Sequence, residues 1–222
     1  MKLTIFAATG GVGGQLLTQA LDAGHEVTAV VRNPSKISRK EVRVVTADLA
    51  APDRGALESA VDGADAVLSG LGPRSSSEAG IAWRGTQAIV NAMQATSARR
   101  LVVISAAPVG TVPSPARPNP PKFDPGDGAF LRHVVYPILK TLLRKYYVDL
   151  AQMEDIVRES SLDWTVVRPP QLTDKPLTGS YRVAFEQNLP RGLHISRADV
   201  AHFMLRALER ADTSRRVVAI AD

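Results

Sequence analysis

Lys2-Leu3-Thr4-Ile5-Phe6-Ala7-Ala8-Thr9-Gly10-Gly11-Val12-Gly13-Gly14-Gln15-Leu16-Leu17 decides the fold. A short β-rich apolar run stops at glycines, and beyond them residues 15–21 repeat their apolar positions at helical spacing. Strand, glycine turn and helix follow in that order. A phosphate-binding turn needs glycine where backbone must approach a pyrophosphate and where the helix packs on its strand. The helix N-terminus then supplies free N–H groups and partial positive charge. Thr9, Gly10, Gly11, Val12 and Gly13 are therefore the candidate residues for a dinucleotide's phosphates. The position of the glycines, between a strand and a helix at the start of a repeating β-α chain, makes this signal stronger than their spacing alone.

Outward from the turn, β-branched apolar runs recur at residues 25–31, 42–46, 64–68, 101–104 and 164–167. Helical stretches lie near 56–61 and 82–95, with a long one before Ser160. Nearly continuous apolar strands alternating with helices predict a parallel sheet covered on both faces. The expected fold is a doubly wound α/β, Rossmann-like sheet, one domain over residues 1–222 with a small substrate-side region toward its C-terminal end.

Two segments break the alternation. Residues 108–125 hold seven of the fifteen prolines, so 106–128 reads as a proline-rich loop, either a lid over the ligand crevice or a surface insertion. Residues 168–195, punctuated by Pro169-Pro170, Pro176 and Leu189-Pro190, read as a substrate-side loop with a short hairpin. Ser196-Arg197-Ala198-Asp199 then matches a helix capping box, giving Ser196 and Asp199 a structural role. Val134, Val135, Ile138, Leu139, Leu142 and Leu143, flanked by Arg132, His133, Lys140, Arg144 and Lys145, form a basic amphipathic helix. It is expected to pack on its own sheet rather than to touch a membrane or a partner chain.

Composition excludes several classes. The 222 residues contain no cysteine, which removes disulfides, thiolate metal ligands and a cysteine nucleophile. The four histidines lack metal-ligand spacing, so no metal site is expected. Twenty-seven Lys and Arg against 22 Asp and Glu leave +5, a balance that suits anionic ligands. The basic residues are scattered in pairs without a nucleic-acid-binding motif, so a small-molecule substrate is expected and nucleic acid is not. The N-terminal stretch lacks the pattern of a signal peptide, and no apolar run reaches membrane-spanning length. The chain accordingly reads as cytoplasmic, with no indication of its oligomeric state.

About twenty residues past the glycine turn, the dinucleotide motif places an acid for a ribose 2′-hydroxyl or an arginine for a 2′-phosphate. Here stands Val31-Arg32-Asn33-Pro34-Ser35-Lys36, without an acid. Arg32, with Lys36, is placed to grip a phosphate, favouring NADP(H) over NAD(H); the alternative is that Arg32 stacks on the adenine and accepts either cofactor. Asp48 and Leu49 are placed to flank the adenine, although Asp48 equally suits a turn. Ser69-Gly70-Leu71-Gly72 closes the fourth strand with small residues where the second phosphate and ribose pass, and Arg74 behind them binds phosphate or faces water.

Taken together, Ala7 to Gly13, Val31 to Pro34, Leu101 to Ser105 and Leu162-Asp163-Trp164-Thr165-Val166-Val167-Arg168-Pro169-Pro170 resemble the atypical short-chain dehydrogenase/reductases, in particular the NmrA-like NAD(P)H-binding group. The stretch from Arg168 to Tyr181, with Ala201-His202-Phe203-Met204-Leu205-Arg206, is similar to the branch of NADPH-dependent flavin and biliverdin reductases. The resemblance implies a cofactor site that includes Pro169, Pro170 and Gln171, with glutamine where that branch carries histidine. Ala7 stands where the family has its first glycine, and alanine there still permits close approach.

Tyr136-Pro137-Ile138-Leu139-Lys140 matches the letters of the Tyr-x-x-x-Lys pair that many short-chain dehydrogenases use for proton transfer. Counting back from Ser161, however, the resemblance places that pair near Leu142 and Tyr146, so Tyr136 and Lys140 lie on another helix face. Ser105, at the end of the fifth strand, is left as the residue to orient a substrate, unless it only satisfies a strand-end backbone group. Arg168 is expected to pair internally or hold the crevice rim. The expected activity is an NADPH-dependent reductase passing hydride to a planar conjugated acceptor such as a flavin, quinone or linear tetrapyrrole. The alternative is a non-catalytic NADP(H) sensor of the NmrA-like kind.

Overall fold

The computed structural model describes residues 1–73 and 78–222. Its centre is an eight-stranded sheet, built from β1 (Lys2–Phe6), β2 (Glu26–Val31), β3 (Arg43–Thr46), β4 (Ala66–Ser69), β5 (Arg100–Ile104), β6 (Asp163–Arg168), β8 (Arg182–Phe185) and β10 (Arg216–Ala221). The order is β3-β2-β1-β4-β5-β6-β10-β8. All neighbours run parallel except β8, which lies antiparallel on β10. The sheet therefore grows in opposite directions from β1 and β4, the switch point at which a doubly wound fold opens its ligand crevice.

Strand side chains alternate between two cores. On one face Phe6, Val67, Leu101, Val103 and Val166 pack with α2 (Arg54–Val61), α3 (Ile81–Ala95) and α5 (Arg144–Glu159). On the other, Leu3, Ile5, Leu68, Val102 and Val218 pack with α1 (Gly11–Asp22) and α6 (Arg197–Arg206). Burial on both sides explains why these strands read as apolar runs rather than as alternating ones.

The hairpin expected within residues 168–195 does not form. β7 (Gln171–Thr173) instead pairs in parallel with β9 (His194–Ser196) as a separate two-stranded sheet, while β8 crosses to the edge of the main one. Prolines on both sides of β8 remove backbone donors, and the partner that β8 finds, β10, comes from outside the segment. The capping box is present: the Ser196 hydroxyl accepts from the Asp199 N–H at 2.8 Å, and Asp199 also accepts from the Thr178 and Gly179 N–H groups. The proline-rich segment is packed. It contains a 3-10 turn over Ala107–Thr111, and Asp155 of α5 accepts from the Ser114 hydroxyl and the Ala116 N–H. Asp124 accepts from the N–H groups of Gly126 and Asn188.

The basic amphipathic segment follows its sequence expectation only in part. A π-helical turn, Leu131–Val135, leads into α4 (Tyr136–Leu142), with Pro137 in the first helical turn. Leu131 and Tyr136 are buried with Ala107. Phe130, Val134, Ile138, Leu142 and Leu143 remain exposed.

Candidate cofactor and active site

A crevice of about 430 Å³ opens at the C-terminal ends of β1, β2, β4 and β5. Thr9, Gly10, Gly11, Val12, Arg32, Lys36, Asp48, Leu49, Gly70, Leu71, Gly72 and Ser105 all line it, as the sequence places them. Gly13 and Ser69 support it from behind. A Cβ on Gly13 would lie 2.1 Å from the Ala7 carbonyl oxygen, and one on Gly70 would lie 2.9 Å from the Gly13 nitrogen. The Ser69 hydroxyl accepts from the Leu71 N–H at 3.4 Å. Arg74 lies outside the described residues.

The turn itself fits a dinucleotide. Gly10 caps α1 without a side-chain hydrogen bond, so the first N–H groups of a twelve-residue helix face the crevice without a protein cap. Ala7 adopts φ 56°, the left-handed region that favours glycine. The position thus needs glycine's conformation as well as its small size, and here alanine bears the strain.

Three expected residues, Pro169, Pro170 and Gln171, do not line the crevice. The Pro169 carbonyl accepts from the Ala107 N–H, and the Gln171 N–H donates to the Leu193 carbonyl in the small sheet. Gln171 is exposed and its neighbour Leu172 takes the crevice wall instead, because successive strand residues face opposite ways. Among the described lining residues, none comes from 106–128. Tyr136 is buried away from the crevice, and the Lys140 ammonium donates to the Thr111 hydroxyl.

Three further residues that line the crevice are Arg197, Tyr146 and Leu150, and of these the sequence reaches only position 146, through the resemblance. Arg197, at the start of α6, lies over the glycine turn: a Cβ on Gly11 would come 2.6 Å from its Nε and 2.7 Å from its Cδ. Its guanidinium donates to Asp174 at 2.7 Å. Tyr146 and Leu150, one helical turn apart on α5, both line the crevice, and a Cβ on Gly72 would lie 3.7 Å from the Tyr146 hydroxyl. Burial, aided by the Asp149 carboxylate, pushes the Tyr146 phenol above its ordinary range. With leucine four residues on, no ammonium at that place lowers it.

At the inner end, the Ser105 hydroxyl donates to Glu154 at 2.7 Å. Glu154 accepts two bonds from Arg168, one from Nε at 2.8 Å and one from Nη2 at 2.5 Å, and pairs with Arg158 at 3.0 Å. Burial alone would raise this carboxyl, but the Arg168 charge and hydrogen bonds, with Arg158 and Ser105, hold it down at about 2. At the outer end, Arg32 pairs with Glu78 at 3.2 Å, and the arginine side chain is half exposed.

These features define a protein that holds a nicotinamide dinucleotide on a Rossmann-like fold. A model of the NAD(P)H-binding family matches residues 7–211, and the chain belongs to that family. It is 28% identical to an uncharacterized chloroplastic protein of Arabidopsis thaliana, over 99% of this chain and 76% of the relative. Solved structures share the fold, among them two described with a nicotinamide cofactor or a reductase activity. One is a short-chain dehydrogenase/reductase from Veillonella parvula in complex with NADP, with TM-score 0.77 and 21% identity, covering 100% of this chain and 94% of that one. The other is an anaerobilin reductase from Escherichia coli O157:H7, with TM-score 0.74 and 20% identity, covering 100% and 97%. No helix among the described residues is long and apolar enough to cross a membrane.

Proposed function

We propose that the chain is an NADPH-dependent oxidoreductase that reduces a planar conjugated acceptor, such as a flavin, quinone or linear tetrapyrrole. The observation that carries this reading is the contrast within one crevice: cations at the mouth, and an inner wall of Ile104, Leu150 and Leu172 beside a single raised phenol. Thr9 to Val12 and Arg197 hold the pyrophosphate, Asp48 and Leu49 flank the adenine, and Arg32 and Lys36 take the 2′-phosphate. Arg32 exchanges Glu78 for that phosphate on binding. When bound, NADPH supplies the hydride.

Tyr146 keeps its proton and donates a hydrogen bond rather than relaying a proton, because burial and Asp149 disfavour its phenolate and the lysine position one turn on is Leu150. A simple ketone, whose oxyanion needs a proton at once, is then a poor substrate. A conjugated acceptor spreads the incoming charge and takes its proton from water. Ser105 orients the acceptor through its oxygen lone pairs while its proton is held by Glu154.

The test is a panel of acceptors followed by loss of NADPH absorbance. Flavins or quinones are expected to turn over, small ketones to do so poorly, and Ser105→Ala to slow the reaction. NADPH binding with no turnover on any conjugated acceptor overturns the enzyme reading in favour of a redox sensor.

A further inference from the structure

The helical segment before α5 exposes an apolar stripe. Phe130, Val134, Ile138 and Leu142 recur every four residues and are 65%, 44%, 55% and 74% exposed, and Leu143 continues the stripe at 44%. That spacing lines them along one side of a helix. Only four other large apolar side chains among the described residues are exposed, namely Met1, Val44, Leu177 and Leu193, and none of them falls in this segment. A concentrated apolar stripe marks an interaction surface, whereas single exposed residues do not.

The surrounding charge selects the partner. Between Gly128 and Val148 the sequence has Arg132, Lys140, Arg144 and Lys145 and no acidic residue. Arg132 is turned toward the Asp124 carbonyl and the Phe123 ring, and Lys140 toward Thr111. Asp124 and Asp127 are buried beneath. The charges left at the surface are therefore cationic: Lys122, Arg144 and Lys145. A second copy of the chain fits this face poorly. A stripe one side chain wide falls short of the roughly 800 Å² per partner of a stable interface, and a two-fold contact would bring Arg144 and Lys145 of both copies together.

We propose that this stripe seats on an anionic lipid surface, its apolar side chains entering the acyl boundary and its cations meeting the headgroups. Tyr146 of the crevice follows Leu143 by three residues, so contact with lipid brings the crevice close to the source of a lipid-dissolved acceptor. That last link rests on the proposed reductase function; the lipid contact does not.

The experiment is co-sedimentation of the full chain with vesicles of phosphatidylcholine alone and of phosphatidylcholine with phosphatidylglycerol. Binding is expected to the mixed vesicles and to weaken with salt. Leu142→Glu is expected to lower it at least about tenfold, as is Arg144→Glu combined with Lys145→Glu, with NADPH affinity unchanged in each. Absence of binding to mixed vesicles, or equal binding by wild type and Leu142→Glu, overturns the proposal. So does a concentration-dependent dimer in light scattering that Leu142→Glu dissolves, since a second copy then owns the stripe. Vesicle binding without turnover of any acceptor would leave the lipid surface standing and remove the reductase.

Discussion

The two ends of the crevice treat charge in opposite ways. At the mouth, Arg32 is half exposed and pairs with Glu78 near the surface, where such pairs contribute little. At the inner end, Glu154 is fully buried and shared among Ser105, Arg168 and Arg158. The outer cation is available to a ligand at small cost. The inner charges are committed to one another and fix the shape of the wall. The difference teaches that a cluster of charges beside a cofactor site can be scaffold: availability, more than proximity, decides which residues bind.

Removing the inner carboxylate gives the largest expected effect. Glu154→Gln strands Arg168 in the interior and should cost about 3–5 kcal/mol of unfolding free energy, read from the urea midpoint at unchanged slope. Because the folded-state pKa of Glu154 is depressed from 4.5 to about 2, its contribution is present above pH 4.5 and is lost as pH falls toward 2. The wild-type melting temperature should fall over that window, and more shallowly in Glu154→Gln. A stable variant that has lost only turnover would break the comparison and move Glu154 into the chemistry.

The outer cation comes next. Wild type should bind NADP(H) at least about tenfold more tightly than NAD(H), and Arg32→Ala should lose about 1.5–3 kcal/mol of NADPH affinity, toward the lower figure because the side chain is half exposed. Calorimetry giving equal affinity for the two cofactors would sink this assignment. Stability should be unchanged, in contrast to Glu154→Gln.

The smallest effect is expected where the sequence carries the letters of a catalytic pair. Tyr136→Phe and Lys140→Ala should each leave turnover within about threefold, against the hundredfold or more of a true acid–base residue. A hundredfold loss of kcat in a folded variant would place acid–base chemistry outside the described crevice.

What the sequence disclosed, it disclosed through local physics. The strand–glycine–helix order, the apolar runs and Arg32 at the end of β2 each follow from neighbours within a few residues, and all fall where expected. Arg197 was hidden because its segment was already explained as a capping box, and nothing local ties residue 197 to Gly11. Position 146 was reached only through the resemblance, which puts the family's lysine there; that its tyrosine turns with Leu150 toward the crevice follows from the packing of α5. Gln171 lies off the crevice wall for a register reason: pairing of β7 with β9 turns Leu172 inward, and the resemblance alone does not fix that alternation.

The placement of β10 has a consequence for synthesis. A chain emerging N-terminus first can assemble β1 through β6 as each βα unit appears, but β8 is made before β10 and has no other partner in the main sheet. Residues 182–185 must therefore wait as an unpaired, partly apolar strand until residues 216–221 have left the ribosome and slid between β6 and β8. That interval is when the nascent protein offers a bare β-edge to chaperones, and to other copies of itself on the same message.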